Sequence, residues 1–139
     1  MVETDHNFTW ELYRTTMRCY IEPLFGWDDL KQRQEWEQRT RPTERMIVNL
    51  SEKPVGHLER IHTPNKVIIG NLQLHPEAQG KGLGTVIMTD ECERARSKGK
   101  GVRLGVLVSN PRAKALYGNL GFHVVEETEN IIFLENSIS

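Results

Sequence analysis

The alternating glycines at positions 80, 82 and 84 are the strongest chemical signal in this sequence. They follow an apolar segment that ends at Leu74 and come just before a helical pattern that begins near position 82. A glycine lets the backbone approach a ligand without a Cβ in the way. The start of a helix adds free N–H groups and the positive end of the helix dipole. The segment therefore predicts an anion site that suits a phosphate or a pyrophosphate.

Two common phosphate-binding motifs do not fit these glycines. A P-loop needs a lysine and then a serine or threonine after its last glycine, whereas Gly84 is followed by Thr85 and Val86. A dinucleotide-binding fingerprint needs a glycine at its sixth position, which is Thr85 when counted from Gly80. A glycine-rich turn without any ligand is the remaining alternative.

The residues around the glycines predict the elements that must position them. Apolar periodicity and turn residues indicate strands at 46–50, 55–61, 67–74, 102–108, 122–125 and 131–134. Helices are predicted at about 8–23, from Asp28 to about Arg39, at 82–98, and after Asn110-Pro111. The first three strands are joined by short turns, and the unit of strand, helix and strand that follows is typical of a parallel crossover. We expect an α/β fold, with a mixed, mostly antiparallel twisted sheet and helices on both faces.

Composition limits the classes of function. The chain has 139 residues, which suits one domain over 1–139, and its formal net charge of −1 predicts no nucleic-acid or membrane partner. Its apolar runs, such as Val67-Ile68-Ile69, are far too short to span a bilayer, and the first residues lack a signal-peptide pattern. Cys19 and Cys92 are not at metal-ligand spacing. We therefore expect reduced thiols, a cytoplasmic protein and no metal.

Two motifs together indicate a family. Gln79, Gly82 and Gly84 form the pattern Gln-x-x-Gly-x-Gly, and Asn110, Ala113, Tyr117 and Leu120-Gly121-Phe122 follow downstream. In both motifs the chain resembles the GNAT superfamily of acetyl-CoA-dependent N-acetyltransferases, over roughly residues 8–135. One departure is that only about seven residues precede Phe8, so the first strand of the family is short or missing. That sheet edge is exposed or covered by a partner, for which a homodimer is one candidate.

The resemblance implies acetyl-CoA as co-substrate and a role for several residues. The peptide groups of Leu72 and Leu74 would pair with the pantetheine arm, Asn110 would contact that arm or its neighbouring backbone, and Tyr117 would be the general acid. Lys81 could add a point charge or simply lie in solvent. The pyrophosphate would lie against the backbone of Gln79, Gly80, Lys81, Gly82, Leu83, Gly84 and Thr85. Two simpler interpretations stay open. Tyr117 also completes an apolar helical face, and Asn110 could be only a helix N-cap.

The acceptor and the general base are less evident in the sequence. A primary amine, in a small molecule or a peptide, must lose a proton before it can attack a thioester. Glu22, Glu59, His57 and His75 are candidates for taking it, although each could equally be a solvated surface group. By the same resemblance, Trp27 and Trp36 could line an acceptor pocket, or they could anchor the polar second helix by burial. A non-catalytic acyl-CoA sensor or a subunit of an assembly is the alternative to an enzyme.

Overall fold

The structure is a computed structural model that describes residues 3–38 and 44–136. Four α-helices are present in this part of the chain: α1 Glu3–Phe25, α2 Asp29–Gln38, α3 Leu83–Ser97 and α4 Pro111–Asn119. A short 3-10 turn covers Pro76–Ala78. The strands are β1 Glu44–Leu50, β2 Lys53–His62, β3 Lys66–Leu74, β4 Gly101–Leu107, β5 His123–Glu127 and β6 Ile131–Asn136.

The six strands form one sheet in the order β1-β2-β3-β4-β6-β5. Only β3 and β4 pair in parallel, which confirms the predicted meander followed by a crossover. The predicted end of the first helix at Pro23 is wrong, because α1 continues to Phe25. A proline in the last turn removes one hydrogen bond, and the helix can end beyond it. The described residues begin within α1, and none of the described strands precedes it.

Helices cover both faces of the sheet, as predicted. Leu58 in β2 belongs to a core that includes Met88 of α3, whereas the ring of its neighbour His57 lies 6.2 Å from that of Trp36 in α2. Neighbouring side chains on a strand point to opposite faces. Hence α2 covers one face, with α1 packed beside it, and α3 the other. The buried core on the α3 side consists of Leu58, Val67, Ile69, Met88, Ala95, Val102, Leu104, Val106, Phe122 and Leu134.

Helix α1 is fixed to the sheet and to α2 by aromatic and polar contacts. The rings of Tyr13 and Trp36 are 4.4 Å apart, and Trp36 is almost fully buried, so this tryptophan anchors the otherwise polar α2. Near the other end of α1, the Ser109 hydroxyl donates a hydrogen bond of 2.5 Å to the carbonyl of Tyr20. This bond ties α1 to the loop between β4 and α4.

Strand β3 has two halves that differ in their neighbours. The closed half, Lys66–Ile69, pairs in parallel with Gly101–Leu104 of β4. On the other side of β3, Glu59 pairs with Asn71 and Arg60 with Ile69, so Gly70 is an extra residue that forms a β-bulge. Beyond this bulge, the open half of β3, Gly70–Leu74, has no pairing with β4. The two strands therefore separate from the bulge onward.

Candidate active site

Two cavities lie where β3 and β4 separate. The larger has a volume of about 770 Å³ and is enclosed by α1, α2 and the separating strands. The smaller, of about 280 Å³, lies in front of the glycine corner, which we define as residues 79–85. The two cavities share a set of lining residues, so they form one cleft: Met17, Leu72, Gln73, Asn110, Ala113 and Tyr117.

The glycine corner has a left-handed backbone at two of its three glycines. Gly80 and Gly82 have φ angles of +75° and +78°, and Gly82 is the N-cap of α3. A Cβ at either position would meet no atom within 4 Å, so the space in front of the corner is open. The Gln79 side-chain amide donates to the Leu74 carbonyl at 2.9 Å and holds the corner against β3. The first N–H groups of α3 therefore face an open concave surface.

The hydrogen bonding of β3 determines which of its peptide groups face the gap. The N–H of His75 donates to the carbonyl of Val55 in β2 at 2.6 Å. Hydrogen-bonded and non-bonded pairs alternate along an antiparallel ladder. Leu72 and Leu74 lie at the non-bonded positions of this ladder, so their peptide groups point away from β2 and toward β4. At that edge β4 supplies no partner, and the gap is open to a ligand.

One basic residue in the cleft was not found from the sequence. Arg112, in the first turn of α4, lines the smaller cavity together with the glycine corner. It makes no ion pair with any other described residue, so its positive charge is available to an anion. Lys81 is exposed and does not line either cavity. The position of Arg112 directly after Asn110-Pro111 was the available signal, but only the fold brings α4 beside the corner.

Tyr117 lies where the two cavities meet. Its ring packs edge-on against Phe122 at 5.7 Å, and burial raises the pKa of its hydroxyl to about 12. The hydroxyl makes no hydrogen bond to the described residues, so it is free to act on a ligand. Asn110 is indeed an N-cap, because its side-chain oxygen accepts from the N–H of Ala113 at 3.2 Å. Both residues thus have a structural role and also line the cleft.

Glu59 is fully buried, so the interpretation of this carboxylate as a solvated surface group is wrong. It forms an ion pair with Arg45 at 3.3 Å and accepts a hydrogen bond of 2.8 Å from Asn71. His57, also fully buried, lies 3.9 Å from the same carboxylate. The sequence did not reveal this burial because alternating polar residues usually face water, whereas here α1 and α2 cover that face.

Three other predicted residues line neither cavity. Glu22 pairs with Arg18 on the exposed side of α1, and the Trp27 indole N–H donates to Asp29. Neither Glu22 nor Trp27 lines either cavity. His75 caps the 3-10 turn, where its Nδ1 accepts from the N–H of Glu77. The carboxylate that does line the larger cavity is that of Glu35 on α2, which the sequence analysis overlooked because α2 shows no clear apolar face.

Within residues 3–38 and 44–136, no three His, Cys, Asp or Glu side chains are placed to hold a metal ion. None of the helices in these ranges has the length and hydrophobicity needed to cross a bilayer.

Comparison with protein families identifies the fold. Residues 9–122 match the acetyltransferase (GNAT) family. The chain belongs to this family. This acetyltransferase has no significant match among curated protein sequences.

Solved structures with the same fold include three N-acetyltransferases. The ribosomal-protein-S18-alanine N-acetyltransferase from Escherichia coli has a TM-score of 0.72 at 18% identity, over 100% of this acetyltransferase and 91% of that chain. PaiA N-acetyltransferase from Thermoplasma acidophilum, in complex with coenzyme A, has a TM-score of 0.69 at 18% identity, over 97% and 91%. N-acetyltransferase PseH from Campylobacter jejuni, in complex with acetyl coenzyme A, has a TM-score of 0.66 at 16% identity, over 100% and 94%.

Proposed function

We propose that this acetyltransferase transfers the acetyl group of acetyl-CoA directly to a primary amine. The observation that carries the proposal is that the glycine corner, the open half of β3 and Tyr117 line one continuous cleft. Two of the structures with the same fold contain coenzyme A or acetyl coenzyme A, which supports this assignment.

The smaller cavity has the groups needed to hold the coenzyme. Residues 79–85 would bind the pyrophosphate with backbone N–H groups, and Arg112 would add a positive charge. The peptide groups of Leu72 and Leu74 that face the gap would pair with the amide groups of the pantetheine arm, as an added strand would. The Leu74 carbonyl already accepts from Gln79, so Leu72 and the Leu74 N–H carry most of this pairing.

Catalysis would come mainly from positioning. A backbone N–H of the open half of β3 near Leu74 would polarise the thioester oxygen. The amine nitrogen would form the new C–N bond while the C–S bond breaks, and the Tyr117 hydroxyl would give its proton to the leaving thiolate. Its pKa of about 12 keeps that hydroxyl protonated at neutral pH. Glu35, which lines the larger cavity, is the residue we assign to take the proton of the amine, through water.

The larger cavity would receive the acceptor, as a small amine or the end of a peptide. We also infer a cytoplasmic location, since the two free thiols, Cys19 and Cys92, stay reduced in that compartment. A homodimer that covers a sheet edge stays a prediction.

Calorimetric titration with acetyl-CoA tests the coenzyme site. Gly82→Asp and Gly84→Asp each place a carboxylate where the pyrophosphate would lie, and we expect both to lower the affinity at least about 100-fold through repulsion and lost space. Gly99→Asp is the matched control for backbone strain at Gly82, because Gly99 has a φ of +71° at the other end of α3, whereas Gly84 has no positive φ. Equal losses in all three variants would contradict the proposal.

Release of the coenzyme A thiol separates an enzyme from a sensor. Acetyl transfer is supported if any amine in a broad panel of primary amines causes the protein to release the coenzyme A thiol from acetyl-CoA. If the wild-type protein binds acetyl-CoA but releases no thiol with any amine, it is a non-catalytic acyl-CoA sensor.

A further inference from the structure

A row of polar side chains runs beneath α1 and α2 on strands β1, β2 and β3. The Arg45 guanidinium lies 3.3 Å from one Glu59 oxygen, and the other oxygen accepts from the Asn71 side-chain NH₂ at 2.8 Å. The Asn71 side-chain oxygen in turn accepts from the Gln73 side-chain NH₂ at 3.0 Å. We call these four residues the amide relay.

The charge of Glu59 determines which end of each side-chain amide in the relay, NH₂ or oxygen, faces its neighbour. A carboxylate paired with a guanidinium can only accept hydrogen bonds, so Asn71 must present its NH₂ group to Glu59. The Asn71 oxygen then faces Gln73, which must present its own NH₂ group in return. The side-chain oxygen of Gln73 is therefore the free end of the relay, and the orientation of both amides follows from one charge.

That free oxygen has no hydrogen-bond partner among the described residues, although Gln73 is only 5% exposed. A buried carbonyl without a donor costs free energy unless a ligand supplies one. Gln73 lines both cavities, as Tyr117 does. The aligned dipoles of a hydrogen-bonded chain also polarise its last acceptor. The unpartnered oxygen thus belongs to a residue beside the proposed reaction centre.

We propose that the side-chain oxygen of Gln73 accepts a hydrogen bond from the amine of the acceptor substrate. Asn71 and Glu59 are positioning residues that hold this oxygen in place. An amine that donates one N–H to Gln73 has a fixed orientation, which directs its lone pair. Part of the lining of the larger cavity is apolar and would contact a primary amine that has an apolar body; this part includes Met17, Ile21, Phe25 and Phe133. This inference rests on the proposed acetyl transfer to an amine.

A ternary complex without chemistry tests the hydrogen bond. Coenzyme A carries no acetyl group, so 2-phenylethylamine can be titrated into the protein saturated with it and only binding is measured. We expect Gln73→Met to weaken amine binding about tenfold or more, because a hydrogen bond to a charged group is lost. Its affinity for coenzyme A should equal that of the wild type, which also shows that it folds. Gln32→Met, on the α2 wall of the same cavity, is the matched control and should bind the amine normally.

Propylbenzene has the same body as 2-phenylethylamine but carries a methyl group in place of the ammonium group. Comparing the two affinities in one variant distinguishes loss of the hydrogen bond from general damage to the cavity. Glu59→Gln frees Asn71 and Gln73 to reverse, so the ratio of amine affinity to propylbenzene affinity should fall as it does in Gln73→Met. General damage would lower both affinities and leave the ratio unchanged, which for Glu59→Gln would overturn the positioning role.

Three results overturn the hydrogen bond to Gln73. They are an unchanged ratio in Gln73→Met, an equal fall in Gln32→Met, and a wild-type coenzyme A complex that does not bind 2-phenylethylamine. In each case intact coenzyme A binding leaves the proposed acetyl transfer standing. If the wild-type protein does not bind coenzyme A, both proposals fail.

Discussion

The closed and open halves of β3 differ in what satisfies their backbone. In the closed half, Lys66–Ile69, the peptide groups pair with β2 on one side and with β4 on the other. In the open half, Gly70–Leu74, β2 is the only one of the described strands that pairs with β3, and the second edge faces the cleft. A strand that continues past its neighbour thus forms a binding edge without a separate loop. The bulge at Gly70 marks the point along β3 where pairing with β4 ends.

Ion pairs between neighbouring elements stabilise the closed half. Arg60, opposite Ile69, makes two hydrogen bonds of 2.5 and 2.6 Å to Glu91 of α3, and both side chains are buried. Lys66 pairs with Glu135 of β6, which also binds Arg103 of β4. These contacts join β2 to α3, and β3 and β4 to β6, at the end of the sheet away from the cleft.

The largest expected effect follows from deletion of Gly70, which removes the bulge without changing the pairing of Glu59 with Asn71. The parallel ladder between β3 and β4 should then continue past Ile69 and close the gap. We expect turnover to fall about 100-fold or more, because the slot for the coenzyme arm is lost. Hydrogen exchange checks the cause, since the Leu72 amide should become protected in the deletion variant.

Gly70→Ala is the matched control for this deletion. A Cβ at Gly70 would lie 3.9 Å from its nearest neighbour, so alanine fits and keeps the extra residue. This variant should retain turnover and a fast-exchanging Leu72 amide. If deletion leaves both turnover and exchange unchanged, the bulge does not separate the strands.

The sequence predicts the features that depend on short-range signals. Asn110-Pro111 and the glycines before α3 are local patterns, and in the structure α4 and α3 begin at them as predicted. The bulge at Gly70 was not predicted, because it is defined only by the register with β2. Arg112 was missed for a similar reason, since its place in the cleft depends on how α4 packs.

The burial of the polar residues under α1 and α2 could not be predicted from the sequence. Alternation of polar and apolar side chains along β2 is typical of a strand with one face in water. Glu59 and His57 are instead fully buried, because the aromatic residues of α1 and α2 cover that face. Gln73 carried no signal in the sequence, as a single glutamine in a strand has no pattern. The amide relay exists only once three strands are aligned.

Tyr117→Phe has the next largest expected effect and separates binding from chemistry in the open half. Phenylalanine keeps the packing against Phe122 but removes the hydroxyl, so we expect turnover to fall about tenfold or more while acetyl-CoA affinity stays the same. The raised pKa of about 12 predicts that ionisation of Tyr117 causes no loss of wild-type turnover up to about pH 11. Initial rates across pH and calorimetric titration check both points.

Tyr20→Phe is the matched control, because Tyr20 lines the smaller cavity from α1. It should keep wild-type turnover. If Tyr117→Phe is as active as Tyr20→Phe, Tyr117 is a packing residue and another group protonates the thiolate.

The smallest expected effect concerns the closed half and depends on pH. Hydrogen bonds from Lys66 and Arg103 lower the pKa of Glu135 in the folded state. The unfolded state therefore binds the proton more tightly, so this contribution to stability is present above the ordinary glutamate pKa of about 4.3 and is lost as pH falls through the lowered value.

Glu135→Gln should reduce the free energy of unfolding at pH 7 by about 1 kcal/mol or less, and by less still at pH 3. Urea unfolding at the two pH values measures this difference, with exposed Glu127→Gln as the control that should change neither. Acetyl-CoA affinity at pH 7 should be unaffected, because the two halves of β3 have separate roles; a weakened affinity in Glu135→Gln would show that the closed half also shapes the cleft.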